Sequence, residues 1–232
     1  MNVALVSVGD ELLSGDTVNT NAAWLGERLT KRGASVERVT VVPDRVADIA
    51  RIVNEHAAEY DAVIVTGGLG PTHDDLTMEA VAAAVGQPLE RSEKALEWLD
   101  ENGGYSRSEL TKGTADLPAG SRPLHNTVGV APGCAIENIY VLPGVPAEMQ
   151  AMFESIADVF EGEPRHVESV TLDEPESALV DRLQELQERF EVKVGSYPGE
   201  NVRVKIESTD RAAVERAAGW LRENGIVAKT ES

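Results

Sequence analysis

The chain has 232 residues, 42% hydrophobic and 26% charged, so it can bury one large core, or one large core and one small one. Forty acidic side chains against twenty-one basic ones give a net charge of −19, and only six of the bases are lysine. Such a surface repels nucleic acid and anionic lipid, which argues against both as partners, and it suits a salt-rich interior where ions screen the repulsion.

Cys134 is the single cysteine, so an intrachain disulfide is excluded, and between Gly133 and Ala135 it reads as a small buried filler. The N-terminus lacks a basic region and meets acid at Asp10, unlike a signal peptide. No apolar run approaches the roughly 20 residues needed to span a bilayer. The expected location is cytoplasmic.

In chain order, "NVALVSV" (2–8) is a nearly continuous apolar run ending at Gly9, the pattern of a strand covered on both faces. Residues 20–32 read as a helix with Ala22, Leu25 and Leu29 on one stripe and Gly33 as its stop. "SVERVTVV" is a second strand closed by Pro43, and Asp44 can cap a helix over 45–59. "DAVIVT" is a third buried strand that runs into "TGGLGPTHDDLT" (66–77). Three β-then-α units with apolar strands predict a mostly parallel sheet between two helical layers, an α/β/α domain.

The helix from Ser92 ends in two glycines, and the Gly- and Pro-rich stretch through residue 133 reads as loop or short edge strands. "ENIYVLPG" predicts another strand, followed by a helix with Pro146 in its first turn. Beyond the linker "EGEPRH", residues 164–232 change character to a small α+β domain of βαββα order. One of its strands alternates cleanly, with Val202, Val204 and Ile206 inward against Arg203, Lys205 and Glu207 outward. Residues 1–164 carry −15 of the net charge and residues 165–232 the remaining −4. The acidity belongs mainly to the first domain.

Ligands of an open parallel sheet bind beyond the carboxyl ends of its strands. Three unusual segments fall there. "GDELLSGDTVNTN" is about twice the usual loop of about 2–6 residues and contains Glu11; as a plain loop it would do no more than cap a helix through Asn19 or Thr20. "VPDR" carries Asp44, which can serve as a helix cap, a ligand contact or both. In the third, Gly67, Gly68 and Gly70 let backbone N–H groups converge on an anion, while Asp74 and Asp75 place negative charge beside them. This is neither a P-loop, because no Gly-Lys-Ser/Thr follows, nor a dinucleotide fingerprint. With no P-loop lysine, a divalent cation held by carboxylates is the expected counter-charge to phosphate, and Mg²⁺ (or Mn²⁺ or Co²⁺) binds through one or two carboxylates plus ligand oxygens. The expected metal residues are Asp44, Asp74 and Asp75. Gly67, Gly68, Gly70 and Thr72, with Ser14, Gly15 and Asn21, are the expected phosphate and nucleotide contacts, and Asn126, Gly144 and Pro146 line the far side.

The segments "VGDELLSG", "NTN", "VPDR", "TGGLGPTHDDLT", "NTVGVAPG" and "LPGVPAEM", in this order, resemble the molybdopterin-binding (MoaB/Mog-type) domain, and more closely the N-terminal part of the CinA competence/damage-inducible family. The resemblance covers residues 1–163, and the βαββα segment resembles the KH-type domain that follows in CinA proteins. It does not extend to a deamidase domain, so that activity is not implied. The resemblance implies a three-layer fold and a pocket for a phosphate-rich, adenine-bearing ligand. In molybdopterin adenylyltransferases the aspartates matching Asp44 and Asp75 are functional, and in CinA-like proteins the pocket is associated with metal-dependent hydrolysis of ADP-ribose-type pyrophosphates. In the related MoeA group "GDEL" and "DTN" segments match Gly9–Leu12 and 19–21. Asp10 stands where CinA proteins commonly have Thr, and the segment before "NTVGVAPG" is compressed; both departures bear on the purine side.

Three functions are compatible with this pattern. The first is hydrolysis of a nucleoside-diphosphate-linked compound such as ADP-ribose or FAD, with Asp75, Asp44 and Glu11 as catalytic residues and Glu11 or the metal ion activating water. The second is adenylyl transfer to molybdopterin, and the third a nucleotide- or pterin-binding module without turnover. The small domain has no GXXG clamp and is net negative, which disfavours RNA, so its amphipathic pattern reads as packing on the first domain or across a homodimer. His56, His125 and His166 lack zinc-ligand spacing, and Trp24, Trp98 and Trp220 read as core or interface.

Overall fold

The computed structural model describes residues 1–70, 75–102, 110–163 and 165–228. They divide into two compact units, Met1–Gly162 and Glu163–Ser232. Among the described residues no helix is long and apolar enough to cross a membrane.

The first unit opens with β1 (Asn2–Val8), α1 (Asp10–Ser14), α2 (Thr20–Lys31), β2 (Ser35–Val42), α3 (Val46–Glu59), β3 (Ala62–Gly67) and α4 (Thr77–Ala84). It continues with β4 (Leu89–Arg91), α5 (Glu93–Asn102), β5 (Asp116–Pro118), β6 (Arg122–Leu124), β7 (Gly133–Ile136), β8 (Ile139–Pro143) and α6 (Pro146–Ile156). The main sheet has the order β2-β1-β3-β8-β7-β6, parallel through its first four strands and antiparallel in the last two.

Side chains of the buried strands alternate between two cores, as their period of two requires. Val6, Val8, Val63 and Val65 join Ile49 and Val53 of α3 and Val81 of α4. Val3, Leu5, Ala62 and Ile64 join Leu25 and Leu29 of α2 and Phe153 of α6. This is the three-layer α/β/α arrangement that the apolar runs predict. β2 and β3 flank β1 on opposite sides, so the chain leaves β1 and β3 in divergent directions and opens a crevice at their carboxyl ends.

Local boundaries differ where a side chain finds a better partner. The helix over 45–59 begins at Val46, with Arg45 at the N-cap and no side-chain cap. Asp44 does not cap it; its Oδ2 accepts from the Asp10 backbone N–H at 2.8 Å. Asn19 does cap α2, its Oδ1 accepting from Ala22 N–H at 3.1 Å. The long loop after β1 is therefore half helix, α1, closed by Gly15 at φ 82. Cys134 is fully buried, and burial pushes its thiol up to about 12, which leaves it inert.

In the second unit β9 (His166–Leu172), α7 (Glu176–Phe190), β10 (Lys193–Tyr197), β11 (Val202–Ser208) and α8 (Arg211–Asn224) realise the predicted βαββα order. The sheet is antiparallel in the order β10-β11-β9. Val202, Val204 and Ile206 pack with Leu179, Leu186, Val214 and Leu221, so both helices lie on one face. Glu207 points to the other face as predicted, yet it is buried, because three cations close over it: Lys205 Nζ at 2.8 Å, Lys193 Nζ at 3.4 Å and Arg165 Nη1 at 3.4 Å.

Candidate functional site

A cavity of about 790 Å³ opens at the carboxyl ends of β1, β2, β3 and β8. Gly9 and Glu11 reach it from β1, Asp44 from β2, Gly67–Gly70 and Asp75 from β3, and Gly144 and Glu148 from β8. Leu110, Thr111 and Thr114 close one wall, and Gly129, Val130 and Ala131 another. Its volume is in the range of small-molecule and cofactor sites.

Glycines let the acids approach. A Cβ added at Gly68 would collide with Asp75 Oδ1, and one at Gly70 would lie 2.6 Å from Asp75 Oδ2. The same construction recurs twice: a Cβ at Gly9 would strike the Glu11 carboxylate, and one at Gly129 the Glu148 carboxylate. Gly67, Gly68 and Gly70 are not among the glycines with positive φ. Their value lies in admitting Asp75, with Gly67 making room for the Thr77 hydroxyl.

The opposite wall is fixed by α6. Met149, Met152 and Phe153 are buried to within about 1% exposure, and burying each large apolar side chain stabilises by roughly 1.5–3 kcal/mol. That anchor holds Glu148, the residue before Met149, in the first turn of the helix. Glu148 Oε2 accepts from Asn126 Nδ2 at 2.6 Å. Asn126, 2% exposed, also donates to Ala131 O at 3.1 Å, and its Oδ1 accepts from the N–H groups of Val128 and Gly129.

The predicted residues sort into three groups. Glu11, Asp44, Asp75, Gly67, Gly68, Gly70 and Gly144 all line the cavity. Asn21 and Pro146 instead line a hollow of about 100 Å³ next to it, which shares Glu11 and Gly144, and Asn21 Nδ2 ties to Gly144 O at 2.7 Å. Asn126 lies behind the wall with its amide consumed. Ser14 and Gly15 lie off the cavity, Ser14 Oγ donating to Asp16 Oδ2 at 2.7 Å and Gly15 ending α1. Thr72 and Asp74 lie outside the described residues. Glu148 and the Leu110–Thr114 segment were not foreseen, although "Gly129 near Glu148" repeats the glycine–acid pairing of Gly9 with Glu11.

Four carboxylates thus face one cavity, and no Lys or Arg lines it among the described residues. Among those residues no group of three or more His, Cys, Asp or Glu converges to hold a metal ion by itself. The donor set is all oxygen. It fits a hard cation such as Mg²⁺, which takes one or two carboxylates and completes its shell with water and ligand oxygens; it does not form a ready-made protein cage.

An open α/β sheet with an acid-lined cavity at its topological switch point defines a small-molecule-binding domain of the doubly wound class. More particularly, the chain belongs to the family described as "Probable molybdopterin binding domain", whose model matches residues 4–162. Residues 164–229 match the FAD synthase middle domain. The second unit's assignment rests on that match and not on a KH-type domain. A protein of Archaeoglobus fulgidus is 40% identical over 96% of this chain and 97% of its own length. A "CinA-like protein" of Citrifermentans bemidjiense is 37% identical over 96% of this chain and 58% of its own length. The crystal structure of the protein CinA with unknown function from Thermoplasma acidophilum superposes with a TM-score of 0.63 at 39% identity, covering 68% of this chain and 97% of that one.

Proposed function

We propose that this protein is a metal-dependent hydrolase of nucleoside-diphosphate-linked compounds of the ADP-ribose or FAD type. The observation that carries the reading is the four-carboxylate cavity with no cationic side chain lining it among the described residues. The carboxylates lining this cavity would repel a diphosphate, and a divalent cation between them would offset that repulsion. Asp75 and Asp44 would hold Mg²⁺, which when bound supplies the charge neutralisation that the pyrophosphate needs.

The remaining work falls to the chain. Gly144 and the Gly67–Gly70 backbone border the space for the pyrophosphate, and Leu110 and Val130 add apolar surface beside it. Glu11, laid on Gly9, accepts the proton of the attacking water. The water oxygen bonds to one phosphorus as the bridging P–O bond breaks, and the electron pair leaves with the second phosphate. ADP-ribose would give AMP and ribose 5-phosphate.

A panel of ADP-ribose, FAD, NAD and ATP with Mg²⁺, Mn²⁺ or Co²⁺, followed by mass spectrometry, tests this. The expected result is a pair of monophosphate products from ADP-ribose or FAD that disappears with chelator. A bound but uncleaved ligand under every metal would make the protein a carrier. The two family matches, to a molybdopterin-binding domain and to part of FAD synthase, favour adenylyl transfer as the second reading. An adenylylated product from ATP and molybdopterin would establish it.

A further inference from the structure

Glu148 is the one cavity carboxylate that no part of this reading employs, and its setting is unusual for a surface acid. Asn126 holds it. Because Asn126 Oδ1 already accepts from Val128 N–H at 3.2 Å and Gly129 N–H at 2.7 Å, the amide can present only its NH₂ to Glu148. The carboxylate also rests on the bare α-carbon of Gly129. A buried amide, a glycine and the start of α6 therefore fix an anion whose only hydrogen bond among the described residues is from a neutral group.

A carboxylate has about four lone-pair sites and no donor. Asn126 uses one of them, and Glu148 lines the cavity with the rest. It cannot face phosphate, which it would repel in a cavity that already holds Glu11, Asp44 and Asp75. What it can accept is a hydrogen bond from an uncharged O–H or N–H of the ligand. We propose that Glu148 is a specificity-determining residue that accepts hydrogen bonds from the vicinal hydroxyls of a ribose, so that the site selects ribonucleotides over deoxyribonucleotides. Two adjacent hydroxyls match the two oxygens of one fixed carboxylate, and hydrogen bonds to a charged acceptor are the stronger class. The proposal rests on the nucleotide reading of the cavity and names the sugar it takes.

The test is calorimetric binding of ADP, 2′-deoxy-ADP and 3′-deoxy-ADP in the presence of Mg²⁺. The wild type is expected to bind ADP at least about 10-fold more tightly than one of the deoxy forms. Glu148→Gln retains an oxygen for Asn126 but loses the charge, and should bring that ratio to about 1 mainly by weakening ADP. Gly129→Ala should do the same by displacing the carboxylate while leaving it charged, which covers the case in which the first variant perturbs the fold. Equal wild-type affinity for ADP and both deoxy forms would overturn the proposal and leave the nucleotide reading standing. So would a Glu148→Gln variant that weakens all three ligands equally. Absence of any ADP binding by the wild type would overturn both together. If inosine diphosphate restores parity between wild type and Glu148→Gln where ADP does not, the carboxylate reads the base amino group and the ribose assignment falls.

Discussion

The two units treat their acids in opposite ways. In the second, Glu207 is enclosed by Lys205, Lys193 and Arg165, all within 3.4 Å. In the first, Glu11, Asp44, Asp75 and Glu148 share one cavity that no cationic side chain lines among the described residues. A compensated carboxylate is part of the fold. Carboxylates that share one cavity repel one another, and a bound ligand or cation offsets that repulsion. On the proposed function, the difference separates structural from functional acids in a chain with forty of them.

The largest expected effect tests the functional side. Asp75→Asn keeps the shape that Gly68 and Gly70 accommodate, so thermal unfolding should change little while metal-dependent turnover falls by about 100-fold or more. Gly68→Ala should lose as much activity for a different reason, because its Cβ collides with Asp75 Oδ1. It should also cost about 1–3 kcal/mol of stability as the loop shifts. Equal turnover in Asp75→Asn and wild type, at matched metal concentration, would remove Asp75 from the mechanism and with it the contrast between the units.

Stability should show the reverse ranking. Glu207→Gln leaves three cations facing one another over a buried amide and should cost about 2 kcal/mol in chemical denaturation. Glu148→Gln removes one of four mutually repelling charges while keeping an acceptor for Asn126, and should stay within about 0.5 kcal/mol of wild type. If Glu148→Gln were the more damaging of the two, the cavity acids would be structural and the distinction drawn above would fail.

Much of the first unit was legible because its strands announce themselves. A nearly continuous apolar run such as Asn2–Val8 is satisfied between two layers, and ligands of a parallel sheet bind at its strand ends. Asp75, Asp44 and Glu11 followed from that placement. Asp44 misled in detail because an aspartate before a helix has the chemistry of a cap, and only the fold brings Asp10 N–H within its reach. Asn126 misled because an amide's partners are set by loop geometry: the turn from Asn126 to Ala131 closes on its side chain and leaves none of it for a ligand. Glu148 stayed hidden since acids are commonplace in the first turn of a helix, where they complement the dipole. The visible clue was pairing of glycine with acid, which becomes informative only when the two are known to touch. Glu207 was placed correctly outward by alternation, but cations from three separate segments bury it, and no local pattern encodes that.

The smallest expected effect distinguishes the units by pH. Burial, assisted by the charge of Arg38, holds His56 of the first unit below its ordinary value of 6.5, and His125 is lowered likewise by burial and Arg122. The unfolded chain then binds protons that the folded chain refuses, so stability is complete above about pH 6.5 and declines as pH drops through it, until the folded pKa is passed. For Glu207 burial alone would raise the carboxyl, but hydrogen bonds and charges from Lys205 and Lys193 outweigh it and hold it below 4.5. Its contribution is complete above about 4.5 and is lost only as pH falls through the lower, folded value. Thermal midpoints followed from pH 8 to pH 3, a range of about five units, should therefore show two successive declines. His56→Gln should flatten the upper one in part, His125 supplying the rest, and Glu207→Gln only the lower. A Glu207→Gln variant that instead flattened the decline near pH 6.5 would remove Glu207 as the source of the lower decline.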